Sequence, residues 1–192
     1  DSTIDNQSVN EARMNAGKLL AMQYPVDADL VIGVPDSGLC SAIGYSAQSG
    51  IPYGTGLIKN RYIGRTFIQP TQAMRERSVA LKLNALVSNV KGKRIVMIDD
   101  SIVRGTTLKN IVKLLKTAGA TEVHVRISSP KFLYPCFYGT DIPDRSCLAA
   151  VKWTEEEIRQ NLDADTLGFL KLESVKDIAP CSTADFCTAC FD

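Results

Sequence analysis

The sequence predicts an α/β fold in which a central, mainly parallel sheet is flanked by helices. Short continuous apolar runs, Leu30–Val34 and Ile95–Ile98, read as strands buried on both faces. Between Ile98 and a third strand, Thr121–Ile127, lies a stretch of helical periodicity, and the order strand, helix, strand implies parallel pairing.

The elements follow in chain order. Ser8-x-x-Glu11 is a capping box that opens a helix carrying Met14, Leu19 and Leu20 and ending near Tyr24-Pro25. After the first buried strand, Pro35-Asp-Ser-Gly38 breaks the chain, and a helix runs from Leu39 to about Gln48 with Gly50 as its stop. Residues 53–78 are polar and weakly periodic, which predicts a long loop or excursion. Val79, Leu83, Leu86 and Val90 then recur at helical spacing. Beyond the second strand, Leu108, Ile111, Val112 and Leu115 share one face of a helix from Thr107 to Ala118, capped by Gly119. Thr154-x-x-Glu157 opens one more short helix, and the remainder reads as irregular, with residues 181–192 an irregular tail.

The chain of 192 residues has room for one domain with a sizeable core, so residues 1–192 are read as a single unit. Its 45% hydrophobic and 22% charged composition suits a soluble globular protein and excludes disorder. Neither a membrane-length apolar run nor a signal-peptide pattern is visible, and a cytoplasmic location is expected. In such a reducing compartment the late Cys187-x-x-Cys190 pair points to metal ligation more than to a disulfide.

Net charge is only +1, but six basic residues and one acid fall between Lys59 and Lys82. A basic stretch on a near-neutral body suits a small phosphorylated ligand and not a long nucleic acid, although a solvated basic face has the same composition.

The chemistry concentrates in Ile95-Val-Met-Ile-Asp99-Asp100-Ser101-Ile-Val-Arg104-Gly105-Thr106-Thr107. In parallel α/β sheets ligands collect at the carboxyl ends of strands, where this segment begins. Adjacent carboxylates there suit sugar hydroxyls and a hard cation. The small-residue turn that follows opens a helix whose amides and hydroxyls can hold a phosphate. The bland alternative is a polar turn with an N-cap threonine. A Walker A loop is excluded, because no Lys follows the glycine.

This signature resembles the PRPP-binding segment of type I phosphoribosyltransferases, PRPP being 5-phosphoribosyl 1-diphosphate. Within that group, Lys59-Asn-Arg-Tyr-Ile-Gly-Arg-Thr-Phe-Ile-Gln-Pro-Thr-Gln72, Val34-Pro-Asp-Ser-Gly38 and Pro135-Cys-Phe-Tyr-Gly139 resemble the amidophosphoribosyltransferases of purine biosynthesis. The resemblance implies that Asp99 and Asp100 hold the ribose hydroxyls and Mg2+, with Ser37 a third metal contact. It implies that Ser101 to Thr107, including Arg104, Gly105 and Thr106, cradle the 5-phosphate. Asp36, Ser37 and Gly38 are expected at the pyrophosphate, although Ser37 taken alone reads equally as a helix N-cap. Lys59 to Ser78 match a loop that closes over PRPP, with Lys59 and Arg61 as the catalytic cations.

The implied reaction is displacement at C1 of PRPP by ammonia, giving 5-phosphoribosylamine and pyrophosphate. A general base is not assigned, since ammonia needs none and the only histidine, His124, falls mid-strand. The resemblance also implies a [4Fe–4S] cluster in the full-length enzyme, with Cys136, Cys187 and Cys190 matching three of its four ligands. The fourth ligand and the glutaminase domain of these enzymes are expected upstream of Asp1, so the chain is expected to use free ammonia and to hold little iron. A homo-oligomer is implied for the full enzyme, with no nucleic-acid or membrane partner. Two rivals share the same site: a salvage base phosphoribosyltransferase and a non-enzymatic PRPP-sensing regulator.

Overall fold

A computed structural model describes residues 2–60, 83–136, 138, 142, 144–180 and 186–192. Its centre is a four-stranded parallel sheet in the order β3-β6-β7-β8, formed by Leu30–Gly33, Arg94–Asp99, Glu122–Ile127 and Thr166–Phe169. Register pairs Gly33 with Ile98 and Asp99 with Ile127, so the carboxyl ends of the two central strands finish level with one another. Two short antiparallel pairs complete the strands described: β1 (Thr3–Ile4) with β2 (Gln7–Ser8), and β4 (Leu57–Lys59) with β5 (Leu83–Ala85).

Alternation along β6 explains why helices must cover both faces. Ile95 and Met97 join one apolar cluster, with Leu108, Ile111, Val112 and Leu115 of α4 (Thr106–Thr117) and Ile158 and Leu162 of α6 (Glu155–Leu162). Val96 and Ile98 join the other, with Ala16 and Leu20 of α1 (Val9–Gln23) and Ala42 and Tyr45 of α2 (Leu39–Ser49). The remaining α-helices among the described residues, α3 (Val87–Val90) and α5 (Ala149–Lys152), are single turns. Among the described residues no helix is long and apolar enough to cross a membrane.

The α1–α2 contact is unusually close because glycines stand at the crossing. A Cβ on Gly17 would lie 1.9 Å from the Ser41 carbonyl oxygen, and one on Gly44 would lie 1.9 Å from that of Met14. With backbone against backbone, the Ser41 hydroxyl donates to the Arg13 carbonyl at 2.9 Å.

Several expectations are corrected here. Leu83 and Leu86 do not sit on one helix: Leu83–Ala85 is a strand paired with Leu57–Lys59, and only Val87–Val90 is helical, while Val79 lies outside the described residues. The stretch from residue 53 is not all loop, since β4 begins at Leu57. The end of the chain is not irregular from Leu162 onward: β8 and a 3-10 helix, Leu172–Ile178, follow. The capping box at Ser8 is half made. Glu11 donates its amide to the Ser8 hydroxyl, but its carboxylate accepts from Gln7. The Thr154–Glu157 box is complete. Helix α4 closes on Ala118, with Gly119 one residue beyond at φ +97°.

Candidate functional site

The site forms where three segments meet at the carboxyl end of the sheet. The first is the end of β6. Asp99 is 8% exposed, and its carboxylate Oδ1 accepts the Asp100 amide at 2.9 Å. The Asp99 carbonyl accepts the Ser128 amide at 2.9 Å, which ties the pair to the end of β7. Burial pushes the Asp99 carboxyl up to about 8, and the neighbouring Asp100 charge adds to the effect. A carboxylate held out of water beside a second one is short of a cation.

The second segment continues the same strand. Ile102 is buried in the α4-side cluster, fixing the turn to the core. Gly105 adopts φ +80°, a left-handed conformation open to glycine at little cost, and it brings no side-chain cap to α4. The first amides of α4 therefore have no intrahelical acceptor, and the helix dipole favours an anion in front of them. Thr106, Thr107 and Arg104 are exposed around this helix start and Ser101 is half-buried.

The third segment is the turn after β3. Val34 donates to the Ile98 carbonyl at 2.8 Å, and the Gly38 amide returns to the Val34 carbonyl at 2.9 Å. A Cβ on Gly38 would come within 2.4 Å of the Ile98 carbonyl oxygen, so only glycine lets this turn lie against the strand that ends in Asp99. Gly38, and not Ser37, is the N-cap of α2, which removes the capping explanation for Ser37. The Pro35–Asp36 peptide is cis. Lys59, at the end of β4, reaches this turn and pairs with Asp36 at 2.6 Å. The two residues border a cavity of about 240 Å³ lined also by Gly33, Leu39 and Thr55. Arg61 and the rest of the 61–78 stretch lie outside the described residues.

Residues 2–128 match the family model described as a phosphoribosyl transferase domain. The chain belongs to that family. It is 55% identical over 195 residues to the amidophosphoribosyltransferase of Bacillus subtilis, matching 100% of this chain and 41% of that protein. It is 53% identical to the Synechocystis enzyme of the same name, over 100% of this chain and 39% of the relative. The solved glutamine PRPP amidotransferase from B. subtilis, complexed with ADP and GMP, superposes with a TM-score of 0.86 at 54% identity, covering 99% of this chain and 41% of that one. An APRTase from Giardia lamblia, 14% identical with a TM-score of 0.51, shares the fold alone. The chain thus spans about two-fifths of the length of the curated relatives it matches.

Away from this site, the C-terminal segment returns to the 131–136 stretch. The Leu133 and Tyr134 amides both donate to the Cys190 carbonyl, at 2.8 and 3.2 Å, and Phe132 and Phe191 pack at 5.1 Å between centroids. The Cys190 thiol is pushed up by burial, by a hydrogen bond with Cys136, and by the charges of Cys136 and Cys187. The Tyr138 amide donates to Cys136 Sγ at 3.4 Å. The three matching cysteines are thus neighbours. Even so, among the described residues no three His, Cys, Asp or Glu side chains stand as a ready metal-ligand set.

His124 is no part of the site. It is 3% exposed, with Nδ1 3.1 Å from the Thr166 hydroxyl. Arg126 Nη1 donates to the same hydroxyl at 2.9 Å, so the hydroxyl links the two side chains. Nε2 lies 3.0 Å from Glu122 Oε2 but off hydrogen-bond direction. Sequence reasoning missed this buried His–Thr–Arg chain, because it depends on the β7–β8 register.

Proposed function

We propose that this chain transfers the phosphoribosyl group of PRPP to ammonia, releasing pyrophosphate and forming 5-phosphoribosylamine, the first committed step of purine biosynthesis. The observation that carries the reading is the run from Asp99–Asp100 straight into the uncapped start of α4, with Lys59 paired to Asp36 on the adjoining turn. The turn that carries Asp36 lies against the end of the strand that carries Asp99, through the Val34–Ile98 hydrogen bond and the close approach at Gly38. The names of the full-length relatives favour this reaction over base salvage or PRPP sensing.

In this reading the amides of 104–107 hold the 5-phosphate, and Asp99 and Asp100 hold the ribose hydroxyls. The carboxylate pair fits Mg2+, because the buried Asp99 favours its protonated form until a cation offsets the cost. Bound Mg2+, with Ser37 near it, would neutralise charge on the departing pyrophosphate. Lys59 exchanges Asp36 for pyrophosphate, and Arg61 adds a second cation. The C1–O bond to pyrophosphate breaks with its electron pair leaving on oxygen. The lone pair of ammonia forms the C1–N bond, and the resulting ammonium loses a proton to water. Because positive charge builds on the ring oxygen at C1, the protein works by positioning and by stabilising the leaving group.

We also propose that Cys136, Cys187 and Cys190 supply three ligands of an iron–sulfur cluster in the longer enzyme. Support comes from their proximity, from the Tyr138 amide on Cys136 sulfur, and from soft thiolate chemistry. The glutaminase part, a homo-oligomeric assembly and a cytoplasmic location belong to the same proposal.

The test is pyrophosphate release from PRPP with Mg2+, using ammonium salt, glutamine or free purine bases as the sole acceptor. Turnover with ammonium that rises with pH, as ammonium is deprotonated, supports the reading. Turnover only with a base favours salvage, and PRPP binding without turnover favours the sensor.

A further inference from the structure

The stretch 101–107 is held from outside the sheet by a segment with no assigned role. The Ala149 amide donates to the Val103 carbonyl at 2.8 Å. Leu148, immediately before it, is wholly buried and anchors the segment. Four residues upstream, Arg145 donates from Nε to the Leu133 carbonyl at 3.0 Å and lays its guanidinium 4.5 Å from the centre of the Tyr134 ring. The same Leu133 and Tyr134 are held by the Cys190 carbonyl. The segment is thus braced at both ends.

A planar trans peptide points its C=O and N–H in opposite directions. With the Val103 carbonyl turned out to Ala149, the following N–H, that of Arg104, is sent to the other side of the turn. A carbonyl facing a phosphate would repel it, whereas an amide attracts it. The geometry points to residues 145–149 as a clamp on the 5-phosphate turn, with Ala149 and Arg145 as positioning residues for the sugar phosphate. This rests on the phosphoribosyl reading above.

Calorimetry on the whole chain tests it, with ribose 5-phosphate and Mg–pyrophosphate as separate probes of the two ends of the site. Ala149→Pro removes the donor and sets the ring Cδ against the Val103 carbonyl, so the turn must let go of residue 149, while Leu148 already has the extended backbone (φ −76°, ψ 126°) that a following proline requires. The expected result is roughly tenfold weaker ribose 5-phosphate binding in Ala149→Pro, about threefold in Arg145→Ala, and partial recovery in Arg145→Lys, consistent with the loss of one hydrogen bond. Pyrophosphate affinity stays at the wild-type level in all three. Wild-type affinity for ribose 5-phosphate in the clamp variants overturns the proposal, and so does an equal loss for both probes, which indicates general loosening. If Ala149→Pro does not fold, the two Arg145 variants decide alone. A wild-type chain that binds neither probe overturns the phosphoribosyl reading itself, and the clamp with it.

Discussion

Asp100 donates its backbone amide to the carboxylate of Asp99 across 2.9 Å, yet Asp99 remains a reluctant anion. Burial is the larger cause and the Asp100 charge the second, and one amide does not offset them. The folded chain therefore holds a proton on Asp99 that the unfolded chain releases near its ordinary value of 3.8. The contribution of Asp99 to stability is fully present below that value and is lost as pH rises toward about 8. The melting temperature of the metal-free chain should fall between pH 5 and pH 8 by about 5 °C, equivalent to about 2 kcal/mol. Asp99→Asn should flatten that slope and abolish Mg-dependent PRPP binding. Mg2+ with pyrophosphate should raise the melting point of the wild-type chain at pH 8 and release protons, as measured in buffers of different ionisation enthalpy. A wild-type slope unchanged by Asp99→Asn would refute the assignment.

Lys59 and Asp36 form an exposed pair, worth about 0–1 kcal/mol to the fold. Lys59→Gln should accordingly leave the melting point within about 2 °C. Its effect should fall on the reaction, with ammonia-driven pyrophosphate release reduced by roughly tenfold or more as a cation over the leaving group is lost. Equal rates for the two proteins would remove Lys59 from the machinery.

His124 works against acid. Burial and the nearby Arg126 hold it below its ordinary value, with Glu122 and Asp165 opposing more weakly. Below about pH 6.5 the unfolded chain takes up a proton that the folded chain refuses, so stability falls with falling pH. Because Asp99 has the opposite sign in this range, the comparison belongs in an Asp99→Asn background. There, His124→Gln should reduce the loss of melting temperature between pH 7 and pH 5. An identical loss in both proteins would show that the histidine is not the titrating group.

The α1–α2 crossing predicts a steric cost. Gly17→Ala and Gly44→Ala each drive a methyl group into a carbonyl oxygen that belongs to the partner helix. Each should cost about 3 kcal/mol in denaturant unfolding, at the upper end of overpacking effects. Gly54→Ala meets only the Leu30 side chain and should cost less than half as much. Helix propensity by itself favours alanine at positions 17 and 44, so losses there no larger than at position 54 would mean that the crossing is not the cause.

The sequence by itself determined the parallel α/β class, the two buried strands and the boundaries of α2 and α4 to within a residue or two, and it picked out the run from Asp99 to Thr107 as the candidate site. Those features are local: a strand buried on both faces must be continuously apolar, and a helix covering a sheet must repeat its apolar residues on one side. Only the tertiary structure decided the rest. Thr166–Phe169 is short and contains Gly168, so it does not read as a strand. It becomes one because β7 offers an open edge and Tyr24 packs over the bare glycine, where a Cβ would lie 2.7 Å from the ring. Leu83 shares helical spacing with its neighbours, but pairing with Lys59 across β4–β5 holds it in a strand. Lys59 and Asp36 are 23 positions apart and Val103 and Ala149 are 46 apart, and nothing in either segment names its partner. Periodicity records which face of an element is buried, whereas the meeting of two distant segments is set by how those faces pack.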